Sequence, residues 1–215
     1  MPSTERRAPS AENAPRWHRR PEARREELIE AALQVFGDLG YAQAKLEDVA
    51  KQAGVSKGTV YLYFDSKDAL FRAMVHQKVS ENLAFAEAMV AASAKPPREL
   101  LDDVIRRWWS ASPDLIRINR VIHAEATRFP ELARFYLEEV ILRGRRLLRL
   151  VFERGVERGE FRRIPPVPAL RGIASMIVHG AMYQRLFGPH DPDVVSDDEL
   201  IDGILDLVFN GITTT

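Results

Sequence analysis

Apolar residues recur along this chain at intervals of three and four, the spacing of one face of a helix, with polar residues between them. Leu28, Ile29, Ala32, Leu33 and Phe36 form such a stripe and predict a helix opened by Pro21 and ended around Gly37 to Gly40. Leu46, Val49, Ala50 and Ala53 predict a second, short helix. Gly54 follows at once, where a left-handed helix ending favours a residue without Cβ. Ser56 can cap a third helix in which Val60 and Phe64 share a face. From Ser66 a long helix is predicted to about Ser93, through Leu70, Phe71, Met74, Val75, Val79, Leu83 and Ala86. Lys95-Pro96-Pro97, Pro113 and Pro130 then break the pattern and leave helices over about 97–111, 114–126 and 131–158. Gly159 and Ile164-Pro165-Pro166-Val167-Pro168 precede two last helices, about 168–187 and 197–211. No stretch alternates with the period of two that a half-buried strand needs, and no internal repeat is found.

The expected fold is therefore all-α, with about nine helices in three parts: a disordered basic arm over 1–20, a three-helix unit over 21–66, and a helical domain over 67–215. Two short helices joined across a glycine turn are the helix-turn-helix arrangement, whose second helix lies in the DNA major groove.

Composition at first opposes that reading. The 215 residues hold 31 Lys and Arg against 31 Asp and Glu, so the net charge is zero. Its distribution restores it: residues 1–25 carry seven arginines and three acids, a net of +4 just upstream of the helix-turn-helix. Trp17, His18, Arg19 and Arg20 are a candidate minor-groove arm; a solubilising tail has the same composition. Cysteine is absent, which excludes thiol catalysis, cysteine redox sensing and Cys-ligated zinc. No apolar run approaches the ~20 residues of a membrane-spanning helix, and the Arg- and Pro-rich start has no apolar core segment. No membrane partner and no secretory signal are expected, in keeping with a cytoplasmic location.

Between about Arg24 and Val75 the chain carries Phe36 with Gly40-Tyr41, Asp48-Val49-Ala50, Ala53-Gly54-Val55-Ser56-Lys57-Gly58-Thr59-Val60-Tyr61, Tyr63-Phe64, and Ser66-Lys67-Asp68-Ala69-Leu70. In these positions the stretch resembles the TetR family of bacterial transcriptional regulators. So many positions in register are far more specific than a lone short motif. The resemblance implies an N-terminal DNA-binding domain and a C-terminal helical domain that binds a small molecule and dimerises. One departure stands out: where the family commonly caps helix 2 with Ser or Thr, this chain has Ala44-Lys45, so the cap is weakened and Lys45 would supply the phosphate contact.

On a helical wheel Val60 and Phe64 point inward, which leaves Gly58, Thr59 and Leu62 on the outer arc, flanked by Lys57, Tyr61 and Tyr63. Glycine inside a helix costs about 1 kcal/mol relative to alanine. Gly58 thus suggests close approach to DNA, the alternative being a tolerated glycine at a helix start. Thr59 and Leu62 could meet a thymine methyl or base edge. Tyr61 and Tyr63 offer hydroxyls to phosphates or rings to the core. Lys67 could face a phosphate at the start of helix 4, or stand solvated beside Asp68.

A single recognition helix reads too few bases for useful specificity, so a homodimer on a palindromic operator is expected. Ile173, Ile177 and Gly180 in one helix, and Leu200, Ile204, Leu207 and Gly211 in the last, are the candidate interface; a monomer core is the alternative. Trp108, Trp109, His123, Phe129, Tyr136, Met176, His179 and Tyr183 could line an apolar cavity for an unidentified effector, although each could equally be core or surface. His123-Ala124-Glu125 has the His-x-Glu order of zinc deaminases but lacks their cysteines, and no metal or other cofactor is implied. The leading reading is a ligand-responsive, dimeric DNA-binding repressor, with helix 4 as the lever through Phe71 and Met74. The alternatives are a helical enzyme, for which no nucleophile–base pair, phosphate loop or metal cluster is found, and a helical protein-interaction adaptor or small-molecule-binding module without specific DNA readout.

Overall fold

The computed structural model describes residues 21–213, and the arm with Trp17, His18, Arg19 and Arg20 lies outside them. Nine helices follow one another among the described residues: α1 (Pro21–Gln43), α2 (Leu46–Gln52), α3 (Lys57–Tyr61), α4 (67–92), α5 (Pro97–Ser110), α6 (Ser112–Glu125), α7 (130–157), α8 (Pro166–Leu186) and α9 (Asp197–Ile212). Two are continuous through single π turns, α4 at His76–Ser80 and α7 at Leu137–Ile141. Among these residues β pairing is confined to an isolated bridge between Phe161 and Thr213.

Chemistry local to each end accounts for most boundaries. Prolines open α5, α6, α7 and α8, where a missing N–H is harmless and a fixed φ suits the first turn. Gly40 breaks α1 with φ +76°, and Gly54 ends α2 with φ +65°. At α9, Ser196 Oγ accepts the Glu199 N–H at 3.2 Å while the Glu199 carboxylate accepts the Ser196 N–H at 2.9 Å, a reciprocal capping pair.

Two buried cores result. The first joins α1, α2, α3 and the first half of α4 to α6 and the start of α7, with Phe36, Tyr41, Phe71 and Ile118 among its members. The second joins the end of α4, α5, α7, α8 and α9 around Ile105, Val151 and Phe209. Trp108 packs against both.

Gly155 shows how tightly the second core closes. A Cβ there would lie 2.0 Å from Phe161 Cδ2, and Phe161 is itself stacked on Phe152 with ring centroids 5.8 Å apart. Gly155→Ala should therefore destabilise the protein by about 1–3 kcal/mol despite alanine's better helix propensity, read as a lower urea midpoint. A stabilised variant would mean that Phe161 is not held over α7.

Candidate functional site

Ser56 opens α3 as expected: its Oγ accepts the Thr59 N–H at 3.1 Å and lies 2.9 Å from the Thr59 hydroxyl. Val60 and Phe64 are buried, so the opposite arc is presented outward. Gly58 and Tyr61 are exposed there, and Leu62, just past the last turn, is 83% exposed. Tyr63 is half-buried against the first core, and Thr59 is half-buried with its hydroxyl engaged.

Lys45 is exposed at the start of α2 and, having no acceptor, gives that helix no side-chain cap. Asp48 compensates by accepting the Lys45 N–H at 2.9 Å. Lys57 is paired with Glu47 and sits 5.6 Å over the Tyr61 ring. The bond between them lowers the Glu47 carboxyl pKa and raises that of Lys57, so both partners stay ionised.

Lys67 corrects the sequence reading. Its ammonium is turned inward and donates to the carbonyls of Tyr41 at 2.7 Å, Ala44 at 3.1 Å and Ala42 at 3.3 Å. It also lies 4.5 Å over the Tyr41 ring. An ammonium has three hydrogens, so none remains for a phosphate. The charge that opposes the dipole of α4 instead satisfies the orphan carbonyls where α1 ends. Burial pushes its pKa below the usual lysine value.

A cavity of about 710 Å³ lies in the helical body between α4, α5, α6, α7 and α8. Its lining is mostly apolar, with Leu83, Ile105, Leu147 and Met182 among it, and its size is that of a small-molecule site. Trp108, His123, Tyr136 and His179 line it, as the composition of this region suggested. Four other expected lining residues do not. Trp109 fills the second core; Phe129 packs edge-on to Tyr41 at 5.1 Å; Met176 and Tyr183 are exposed on α8. Asn119, which the sequence reading missed, supplies a buried polar anchor: its Nδ2 donates to the Leu115 carbonyl at 2.9 Å and its side chain bonds the Tyr136 hydroxyl. Burial pushes the Tyr136 phenol well above its ordinary pKa, so it stays neutral. His123 Nδ1 donates to the Asn119 carbonyl at 2.8 Å, leaving Nε2 as its second hydrogen-bonding atom. An amide among apolar neighbours carries no sequence signal of its own.

The expected dimer seam is also reassigned. Ile173, Ile177 and Ile204 are buried within the chain. A Cβ on Gly180 would lie 3.2 Å from Ile204 Cδ1 and 3.7 Å from Leu200 Cδ2, so this glycine serves the close approach of α8 and α9 to each other. Leu207 alone of the large apolar seam residues is turned out, at 66% exposure, and Gly211 has open space around it.

Helix α6 links the two regions. Leu115, Asn119 and His123, four residues apart, face the cavity. The rest of the helix holds α1: Arg117 donates to Gln34 Oε1 at 2.6 Å, Arg120 donates to the Gly37 carbonyl, and Glu125 Oε1 accepts the Ala42 N–H at 2.9 Å.

A helix-turn-helix whose second helix turns one face outward, joined to a helical body that holds a cavity, defines a DNA-binding regulator of transcription. Comparison with known proteins agrees. The model of bacterial regulatory proteins of the tetR family matches residues 28–74, and that of the AefR-like transcriptional repressor C-terminal domain matches 109–209. The HTH-type transcriptional regulator BetI of Stenotrophomonas maltophilia is 30% identical over 161 residues, 72% of this chain and 77% of that protein. The fatty acid metabolism regulator protein of Bacillus subtilis is 24% identical over 186 residues, covering 86% and 94%. The crystal structure of FadR from Bacillus subtilis in complex with stearoyl-CoA superposes with a TM-score of 0.68 at 22% identity, covering 87% of this chain and 98% of that one. The chain belongs to the tetR family.

Proposed function

We propose that this regulator is a homodimeric repressor that holds a palindromic operator and leaves it when a small, largely apolar molecule fills the cavity. The observation that carries this reading is the two-sided α6, with cavity residues on one face and the grip on α1 on the other. A ligand that favours one position of α6 shifts α1, and with it the outward face of α3, so that two recognition helices cease to match successive major grooves ~34–36 Å apart. An apolar effector fits the lining of the cavity, and the stearoyl-CoA held by FadR within the same fold supports it.

Lys45, Lys57, Gly58, Thr59, Tyr61, Leu62 and Tyr63 are the residues we assign to the DNA surface, with Lys67 as their internal support. The exposed apolar side chains Met176, Tyr183 and Phe187 on and just after α8, with Leu207 on α9, are the surface we assign to the second subunit. The 21–66 unit is the reading head and 67–215 the sensing and pairing body. As a chromosomal DNA reader it would work in the cytoplasm.

Selection of bound duplexes from a random pool, followed by a salt titration on the selected sequence, tests the reading. Enrichment of one palindrome, with affinity falling steeply as salt rises, is the expected result. Absence of any enriched sequence at low salt would favour the adaptor reading.

A further inference from the structure

The cavity lining carries three arginines, Arg107, Arg145 and Arg171, and no aspartate or glutamate. None of the three forms an ion pair or side-chain hydrogen bond with another described residue. Arg106 differs sharply: it lies one position away on the same helix and bonds both Asp102 and Asp202.

Arg107 is the most constrained of the three. Its guanidinium lies 3.9 Å from the centroid of the Phe85 ring, and its Nε is buried with no hydrogen-bond partner. It also stands at a boundary. It lines both the apolar cavity and an adjoining polar recess that includes Lys78, Ser110 and Asp114, and Asn82 and Ala111 are shared by the two. The Phe85 ring covers one side of the guanidinium, and its two terminal nitrogens, which can bind an oxyanion in a two-pronged fashion, have no protein partner.

We infer that the effector is an apolar molecule ending in an anionic group, whose carboxylate or phosphate oxygens take the free edge of Arg107 while its apolar body fills the cavity. This rests on the effector reading above and adds the charge of the ligand and the residue that selects it. A half-buried cation beside an apolar wall is poorly solvated, so an incoming anion gains more there than in water, whereas a cationic ligand finds no carboxylate on the cavity lining. A free carboxylate and a phosphate-bearing thioester present the same oxyanion chemistry, and the experiment separates them.

The test uses the full chain and four ligands with one apolar chain: dodecanoate, dodecanoyl-CoA, dodecanol and dodecyltrimethylammonium. Binding is followed by tryptophan fluorescence, since Trp108 lines the cavity, and by melting temperature. At least one of the two anions should bind ten times or more tightly than dodecanol and the ammonium. Preference for dodecanoate would identify a free acid, and preference for the thioester a phosphate-bearing head. Arg107→Gln should abolish the preference while dodecanol binds as before, and Arg107→Lys should restore part of it. Dodecanol binding as tightly as either anion, or a full preference surviving in Arg107→Gln, would overturn this inference and leave the effector reading intact. Silence of all four ligands in both measurements would overturn the two together.

Discussion

Gly58→Glu should lower affinity for the selected duplex at least a hundredfold, about 2.7 kcal/mol, while the protein remains folded. Gly58 is exposed on α3, its φ is not positive, and a Cβ there would meet only Ser56 Oγ at 3.7 Å. Nothing inside the protein requires glycine at this position. Alanine should in fact stabilise the helix by about 0.5–1 kcal/mol, because glycine loses more backbone entropy on folding. The same alanine should still weaken DNA binding by holding α3 off the groove floor, and glutamate adds repulsion from phosphate. Binding titrations on one duplex, run beside urea unfolding of the same samples, separate the two effects. Wild-type affinity in Gly58→Glu would remove α3 from the DNA surface.

Phe71→Ala should destabilise the protein by about 3–5 kcal/mol, the cost of a large cavity at a well-packed aromatic site. Phe71 is completely buried where α4 crosses α1, edge-on to Phe36 at 5.3 Å and to Tyr41 at 5.2 Å. Tyr41 in turn meets Phe129, so the ring cluster ties the helix-turn-helix to α4 and to the start of α7. Urea unfolding followed by circular dichroism would measure the loss, and DNA binding should disappear well before the second core melts. A loss under about 1 kcal/mol would mean that the cluster is loosely packed and that α4 is not clamped to α1.

How much was legible from the sequence depends on the range of each interaction. The Gly54 turn, the Ser56 cap and the inward pair Val60 and Phe64 all act within a few residues, and each is where the sequence places it. Lys67 reaches carbonyls 23 to 26 residues away, and no local pattern says which way a lysine at a helix start will turn. Phe129 looked like a cavity residue because an aromatic between helices fits either assignment; only the approach of α7 to α1 decided for Tyr41. Ile173, Ile177 and Ile204 read as an interface for a related reason: an apolar seam shows that a helix face is covered, not whether its own chain or a second one covers it.

The sequence by itself determined the helices, their order, the helix-turn-helix and the family, because periodicity, caps and prolines are written in neighbouring residues. Tertiary structure alone decided the rest. It placed Asn119 and Arg107 on a cavity wall, set Glu125 against Ala42, and turned Lys67 inward. Those are contacts between residues far apart in the chain, and they exist only once packing of the two cores has fixed which helix faces which.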